Sequence, residues 1–297
     1  MSHTSRGRSR PAVASHVGGS NRRASGFQSS EIVRSALRRR ICTTKRCTGI
    51  TSSPAASRGP NARRRAGREI AIMSATMTLE TAFADRTLAD IAATLPGATA
   101  VFRSRKLDFC CGGKVSLAEA ATTRGLSLAD LEAELAAVAA LGLPASRPDA
   151  TDDLIAIIET RYHAAHRREF PELIRLARRV EAVHKAHPAS PHGLADLLQR
   201  MSDELGEHMS KEEQVLFPLM RRGGHPAIAQ PIAVLLAEHA NHGAYLRELE
   251  RLTADFTVPD DACPTWRALY AGARKLADDL MEHIHTENNV LFPRFTG

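Results

Sequence analysis

The chain has 297 residues, of which 25% are charged and only 4% aromatic, and a formal net charge of +7. Its longest apolar runs fall far short of the ~20 residues that a membrane helix needs, so no membrane partner is expected. Five unevenly spaced cysteines (Cys42, Cys47, Cys110, Cys111, Cys263) exclude a disulfide framework and point to a reducing, cytoplasmic compartment.

The charge is unevenly distributed. Residues 1–72 hold 16 Lys or Arg against two acids, Glu31 and Glu69, whereas the remainder holds 24 bases against 31 acids. The first segment is rich in Arg, Ser, Gly and Ala and lacks apolar periodicity, so it is expected to be disordered. Three readings compete for it: an Arg-rich targeting peptide, a nucleic-acid tail, or sequence upstream of a start at Met73 or Met77. Helical patterning begins at those methionines, which favours the third reading, and nucleic acid is then not a partner.

Beyond that point the pattern is all-α. Residues 80–142 read as a small helical domain with N-cap signatures at Thr87-x-x-Asp90, Ser116-x-x-Glu119 and Ser127-x-x-Asp130. A linker follows from Pro144 to about Ala150. Residues 151–297 contain four long helical stretches, near 152–187, 191–222, 228–255 and 264–293. Short Pro/Gly breaks separate them, as in an antiparallel four-helix bundle. Pro171 inside the first stretch predicts a kink or break.

The chemistry lies in the bundle, which holds 11 of the 13 histidines. His208 and Glu212 begin an H-x3-E-x-x-V-L-F-P run that recurs from His283 and Glu287. Each copy is preceded by an H-x-x-H pair, His163/His166 and His239/His242, at nearly equal distance. Residues four apart share a helix face, so each His-x3-Glu pair can point inward, with His163 and His239 approaching from the other two helices. Imidazole and carboxylate suit iron, and a carboxylate can bridge two metals. Burying so many ionisable groups is costly unless they bind metal or pair with one another. One His-x3-Glu is often a surface i,i+4 pair; two copies with a common V-L-F-P are hard to obtain that way. His166, His184, His187, His192, His225, His242 and His285 are left as surface residues or neighbours of the ligands. Glu204 and Glu238 could serve as acids behind the histidines, but solvated surface charge is the preferred reading of each.

These residues carry a resemblance. The bundle resembles the hemerythrin-like family, whose di-iron site is built from helix-borne His and carboxylates. Preceded by Leu107-Asp-Phe-Cys-Cys-Gly-Gly-Lys114, it is similar to the repair-of-iron-centres family, di-iron proteins implicated in restoring iron–sulfur clusters damaged by nitric oxide or peroxide. The similarity spans about 80–297 and rests on RYHAAHR, EHMSKEEQVLFP, EH and MEHIHTENNVLFP. It implies an all-α, hemerythrin-like four-helix bundle behind a small helical domain. Two iron ions would be held by His163, His208, Glu212, His239, His283 and Glu287, with an oxo bridge and both Glu bridging. It also implies damaged iron–sulfur proteins as clients and nitric oxide or O2 as small ligands, and it leaves both a homodimer and catalytic turnover open. Of about twelve positions on two octahedral irons, this set leaves about two free. That suits ligand exchange, nitric oxide handling or iron delivery. The rivals are a hemerythrin-like O2 or nitric oxide sensor or carrier, and a di-iron oxidase; ferritin-like oxidases use Glu-x-x-His instead.

Cys110 and Cys111 form the second candidate site, as reactive thiols. Arg103, Arg105, Lys106 and Lys114 are near in sequence, and basic surroundings lower a thiol's pKa. Such a pair can hold iron transiently, react with nitric oxide or dock on a cluster; the alternative is two small buried apolar residues. Cys263 reads as structural.

Overall fold

The computed structural model describes residues 83–144 and 148–296, and the reading of 1–72 falls outside them. Among the described residues, helices α1 (Leu88–Thr94), α2 (Ala98–Ser104), α3 (Leu117–Arg124) and α4 (Leu128–Ala139) come first. Thr87, Ser116 and Ser127 cap α1, α3 and α4, each side-chain hydroxyl accepting from the amide three residues on at 3.1–3.3 Å. Among the described residues there is no strand, only an isolated bridge between Thr87 and Ser116. No described helix is long and apolar enough to cross a membrane.

Four long helices follow: α5 (151–183), α6 (194–221), α7 (Ala229–Leu252) and α8 (264–291), with a last turn at Pro293–Thr296. Three of them contain a π segment: Ile158–His163 in α5, Glu212–Leu216 in α6 and Glu287–Leu291 in α8. In α6 and α8 the wide turn starts on the glutamate of the repeat, and Phe292 N donates to Glu287 O at 2.8 Å. Pro218 and Pro293 follow one residue later and have no N–H with which to resume the tighter ladder. The expected break at Pro171 does not occur. The α-helix runs through it from Ala164 to Val183, and the irregularity of α5 lies earlier, at the π segment.

Two apolar clusters show the direction of each helix. One gathers Leu154, Ile158, Leu216, Phe217, Ile232, Leu235, Leu291 and Phe292. The other gathers Leu173, Val180, Leu198, Leu205, Leu249, Trp266 and Leu280. Helix α5 runs from the first to the second, α6 returns, α7 goes out again and α8 returns. Every helix crosses a layer of buried His and Glu on the way. The second cluster also takes in Phe102, Leu107, Phe109 and Leu117, so the first four helices pack on the bundle through a shared core. Arg103 reinforces the contact by pairing with Glu282 at 2.5 Å and Asp278 at 3.4 Å.

Candidate metal centre

The layer between the clusters contains all six residues singled out as iron ligands, each at most 1% exposed. They form two overlapping groups: His163, His283, Glu212 and Glu287, and His208, His239, Glu212 and Glu287. Both glutamates belong to both groups. Nε2 of His163 and His283 are 3.1 Å apart, and those of His208 and His239 are 2.9 Å apart. Two nitrogens at right angles on one octahedral metal, each about 2.1 Å away, would be separated by about 3.0 Å. The carboxylates close each group. Glu212 lies 3.4 Å from His163 Nε2 and 3.5 Å from His208 Nε2; Glu287 lies 2.9 Å from His283 Nε2 and 3.2 Å from His239 Nε2. Neither Glu212 oxygen receives a hydrogen bond, which is costly for a buried carboxylate. The donor set therefore fits a pair of cations such as iron.

Three of the four imidazoles are fixed from behind. Nδ1–H of His163 donates to Glu213 at 2.7 Å, that of His208 to Glu238 at 2.8 Å, and that of His239 to Asn288 at 2.6 Å. Donation from Nδ1 leaves the Nε2 lone pair facing the layer, the tautomer that a metal ligand requires. His283 has no such partner on Nδ1; the Tyr162 ring stacks on it at 5.3 Å. Glu213 is itself clamped by both terminal nitrogens of Arg167, and Glu238 by Lys211.

Charge in the layer is finely opposed. Burial by itself would lower the His163 imidazole, but Glu212 and Glu287 outweigh it and push it up to about 10. Against the same burial, Glu212, Glu287 and Glu238 push His208 up to about 9. Burial prevails at His283, which is lowered. Glu287 resists its own burial and lies well below the usual carboxylate range because of His283, His163 and His239. In the metal-free chain, protons on His163 and His208 thus balance two ionised carboxylates.

Of the two readings left open for the other histidines, burial beside the ligand layer holds for His166, His242 and His285. His166 packs on His283 and His242 on His208, with ring centroids 5.3 and 5.1 Å apart. Burial keeps both neutral, His242 down to about 3 and His166 well below its usual range. Their matched places in the two H-x-x-H pairs were the signal. Of the two acids, Glu238 takes the less favoured reading and holds His208, while Glu204 lies outward, accepting from Tyr245 at 2.6 Å. His192 and His225 are exposed, and His184 lies 3.2 Å from Cys263.

The Cys110–Cys111 turn lies against the bundle. Cys111 Sγ is 3.2 Å from the His239 carbonyl, and the two sulfurs are 3.5 Å apart, with Asp108 beside them. Three of the basic residues expected to activate the thiols pair elsewhere: Arg103 with Glu282, Arg105 with Glu134 and Lys106 with Asp255. The Cys110 thiol is instead pushed well above its usual range by its bond to Cys111, by burial and by Asp108. Asp108, Cys110 and Cys111 nevertheless form a third group whose ligand atoms converge.

Comparison with known proteins agrees with this geometry. The Hemerythrin HHE cation binding domain matches residues 155–295, and a Domain of Unknown function (DUF542) matches residues 84–139. The iron–sulfur cluster repair protein YtfE of Dickeya chrysanthemi is 46% identical over 216 residues, covering 71% of this chain and 97% of that protein. Its counterpart in Cronobacter sakazakii is 47% identical over 214 residues, 72% of this chain and 97% of that protein. That of Yersinia pestis is 44% identical over 220 residues, with 71% and 97% covered. With near-complete coverage of such relatives and a buried His/Glu layer inside the matched HHE segment, the chain belongs to the YtfE family.

Proposed function

We propose that the chain is a cytoplasmic di-iron protein that repairs iron–sulfur clusters damaged by oxidative or nitrosative stress, by iron delivery or nitric oxide handling. One observation carries the metal reading: two imidazole pairs face two shared, buried carboxylates, with their Nε2 atoms 3.1 and 2.9 Å apart. His163 and His283 would hold one iron, His208 and His239 the other, with Glu212 and Glu287 bridging both. Bound there, iron supplies redox chemistry and affinity for nitric oxide. The chain's own part is to orient the imidazoles through Glu213, Glu238 and Asn288 and to keep the layer dry. That its relatives are iron–sulfur cluster repair proteins supports iron–sulfur proteins as clients.

A two-module organisation goes with this reading, with thiols on 80–142 and metal on 151–297. The test joins iron analysis and visible spectroscopy of the full chain, with and without nitric oxide, to reactivation of a cluster enzyme damaged by nitric oxide. Two irons per chain and reactivation beyond that given by free iron are expected. Reactivation no better than free iron would overturn repair, and a spectral response to O2 or nitric oxide alone would then favour the sensor.

A further inference from the structure

The partners behind the four imidazoles are not equivalent, and one of them leads out of the layer. His239 Nδ1–H donates to Asn288 Oδ1 at 2.6 Å, and Asn288 Nδ2 donates to the Cys110 carbonyl at 2.9 Å. Cys110 is bonded to Cys111, whose thiol donates back to the His239 carbonyl at 3.2 Å. The path closes on itself, through one imidazole, one side-chain amide, the Cys110 backbone and the Cys111 thiol. Asn289 adds a second tie, from Nδ2 to the Phe109 carbonyl at 3.1 Å. Cys111 is seated against α7 at Gly243, one turn beyond His239, where a Cβ would come within 3.3 Å of the sulfur. In the matching repeat the place of Asn288 is taken by Glu213, which binds His163 and Arg167 instead.

We propose that Asn288 is a positioning residue that couples the Cys110–Cys111 thiols to the His208/His239 metal position alone, so that chemistry at Cys111 governs how tightly one of the two irons is held. The inference rests on the two-iron reading above. Its physical basis is that the partner on Nδ1 sets the orientation and basicity of a ligating imidazole. A group added at Cys111 must leave the notch at Gly243, breaks the bond to the His239 carbonyl and drags the Cys110 carbonyl that Asn288 holds. His163 and His283 make no such connection. By linkage the effect runs both ways at equilibrium, so metal at His239 changes by the same factor the equilibrium constant for a reversible modification of Cys111.

The test follows iron release from the loaded full chain to an excess of chelator, before and after alkylation with iodoacetamide. In that reaction an S–C bond forms at Cys111, iodide leaves and the thiol proton goes to buffer. Alkylation is expected to speed the loss of one iron of the two by about 10–100-fold, the usual effect of losing such a partner. Cys111→Ala should act in the same direction without any reagent, and Asn288→Ala should speed the same single iron. Asn288→Asp keeps an oxygen for His239 but faces the Cys110 carbonyl with a second acceptor; it should retain both irons and make their release indifferent to alkylation. Glu213→Ala should speed the other iron, so that combining it with Cys111→Ala makes both fast. Equal effects on both irons, no effect of Cys111→Ala, or an undiminished alkylation effect in Asn288→Asp would each overturn the coupling. A wild-type chain that binds fewer than two irons would overturn the two-iron reading instead.

Discussion

Glu213 and His163, fifty residues apart in sequence, meet at 2.7 Å, with the carboxylate receiving the Nδ1 proton of the imidazole. A residue adjacent to Glu212 and rotated about 100° from it around an α-helix would ordinarily face away from the ligands. It does face away from those of its own helix, and toward the histidine of the preceding helix, α5. Glu213→Ala is therefore not silent. Affinity for one iron should fall by about 10–100-fold, and Glu213→Gln should recover part of the loss, as read by competition with a calibrated chelator.

Glu212 and Glu287 each belong to both His/Glu groups. Glu212→Ala or Glu287→Ala removes one carboxylate from each and leaves buried imidazoles without a neutralising anion. Iron content should fall well below two per chain, whereas far-ultraviolet circular dichroism should hardly change because both apolar clusters remain. Retention of two irons in both variants would remove the bridging assignment.

The charges of the layer make the stability of the metal-free chain depend on pH. His163 and His208 are raised from 6.5 to about 10 and about 9. Their stabilisation is complete below pH 6.5 and is lost as pH climbs through 9 and 10. His166, His242 and His283 are lowered, so folding is penalised as pH falls below 6.5. The depressed Glu212 and Glu287 add to that loss below about 4.5. Thermal midpoints of metal-free protein should therefore peak near pH 6.5. Bound cations replace the protons on His163 and His208, so loading with iron should flatten the alkaline limb.

Gly113 closes the turn that carries the thiols. A Cβ there would sit 2.5 Å from the backbone oxygen of Phe109, which no side-chain rotation relieves. Gly113→Ala should cost about 1–3 kcal/mol, as overpacking generally does, measured by urea denaturation. A cost near zero would mean that the turn is free to rearrange.

The helices and the six His and Glu residues of the buried layer were legible in the sequence because both depend on local periodicity. A His and a Glu four apart share a face wherever the helix goes, and the repeat showed which face was buried. The caps at Thr87, Ser116 and Ser127 were legible for the same reason. The partners behind the ligands were not, because each bond crosses between helices and depends on how one is rotated against another. Nor were the π segments foreseen, although the proline shared by both copies marked two of them. The basic residues around Cys110 misled, since proximity in sequence did not reveal that Arg103 reaches across to α8.

The apolar cluster that joins Phe102 and Phe109 to Leu280 and Ile284 has a thermodynamic consequence. Neither the leading helices nor this end of the bundle can come apart without wetting the other's interior. Heat should therefore melt residues 83–296 in one all-or-none step, with calorimetric and van't Hoff enthalpies in agreement. A split endotherm would show that the thiol-bearing helices let go first.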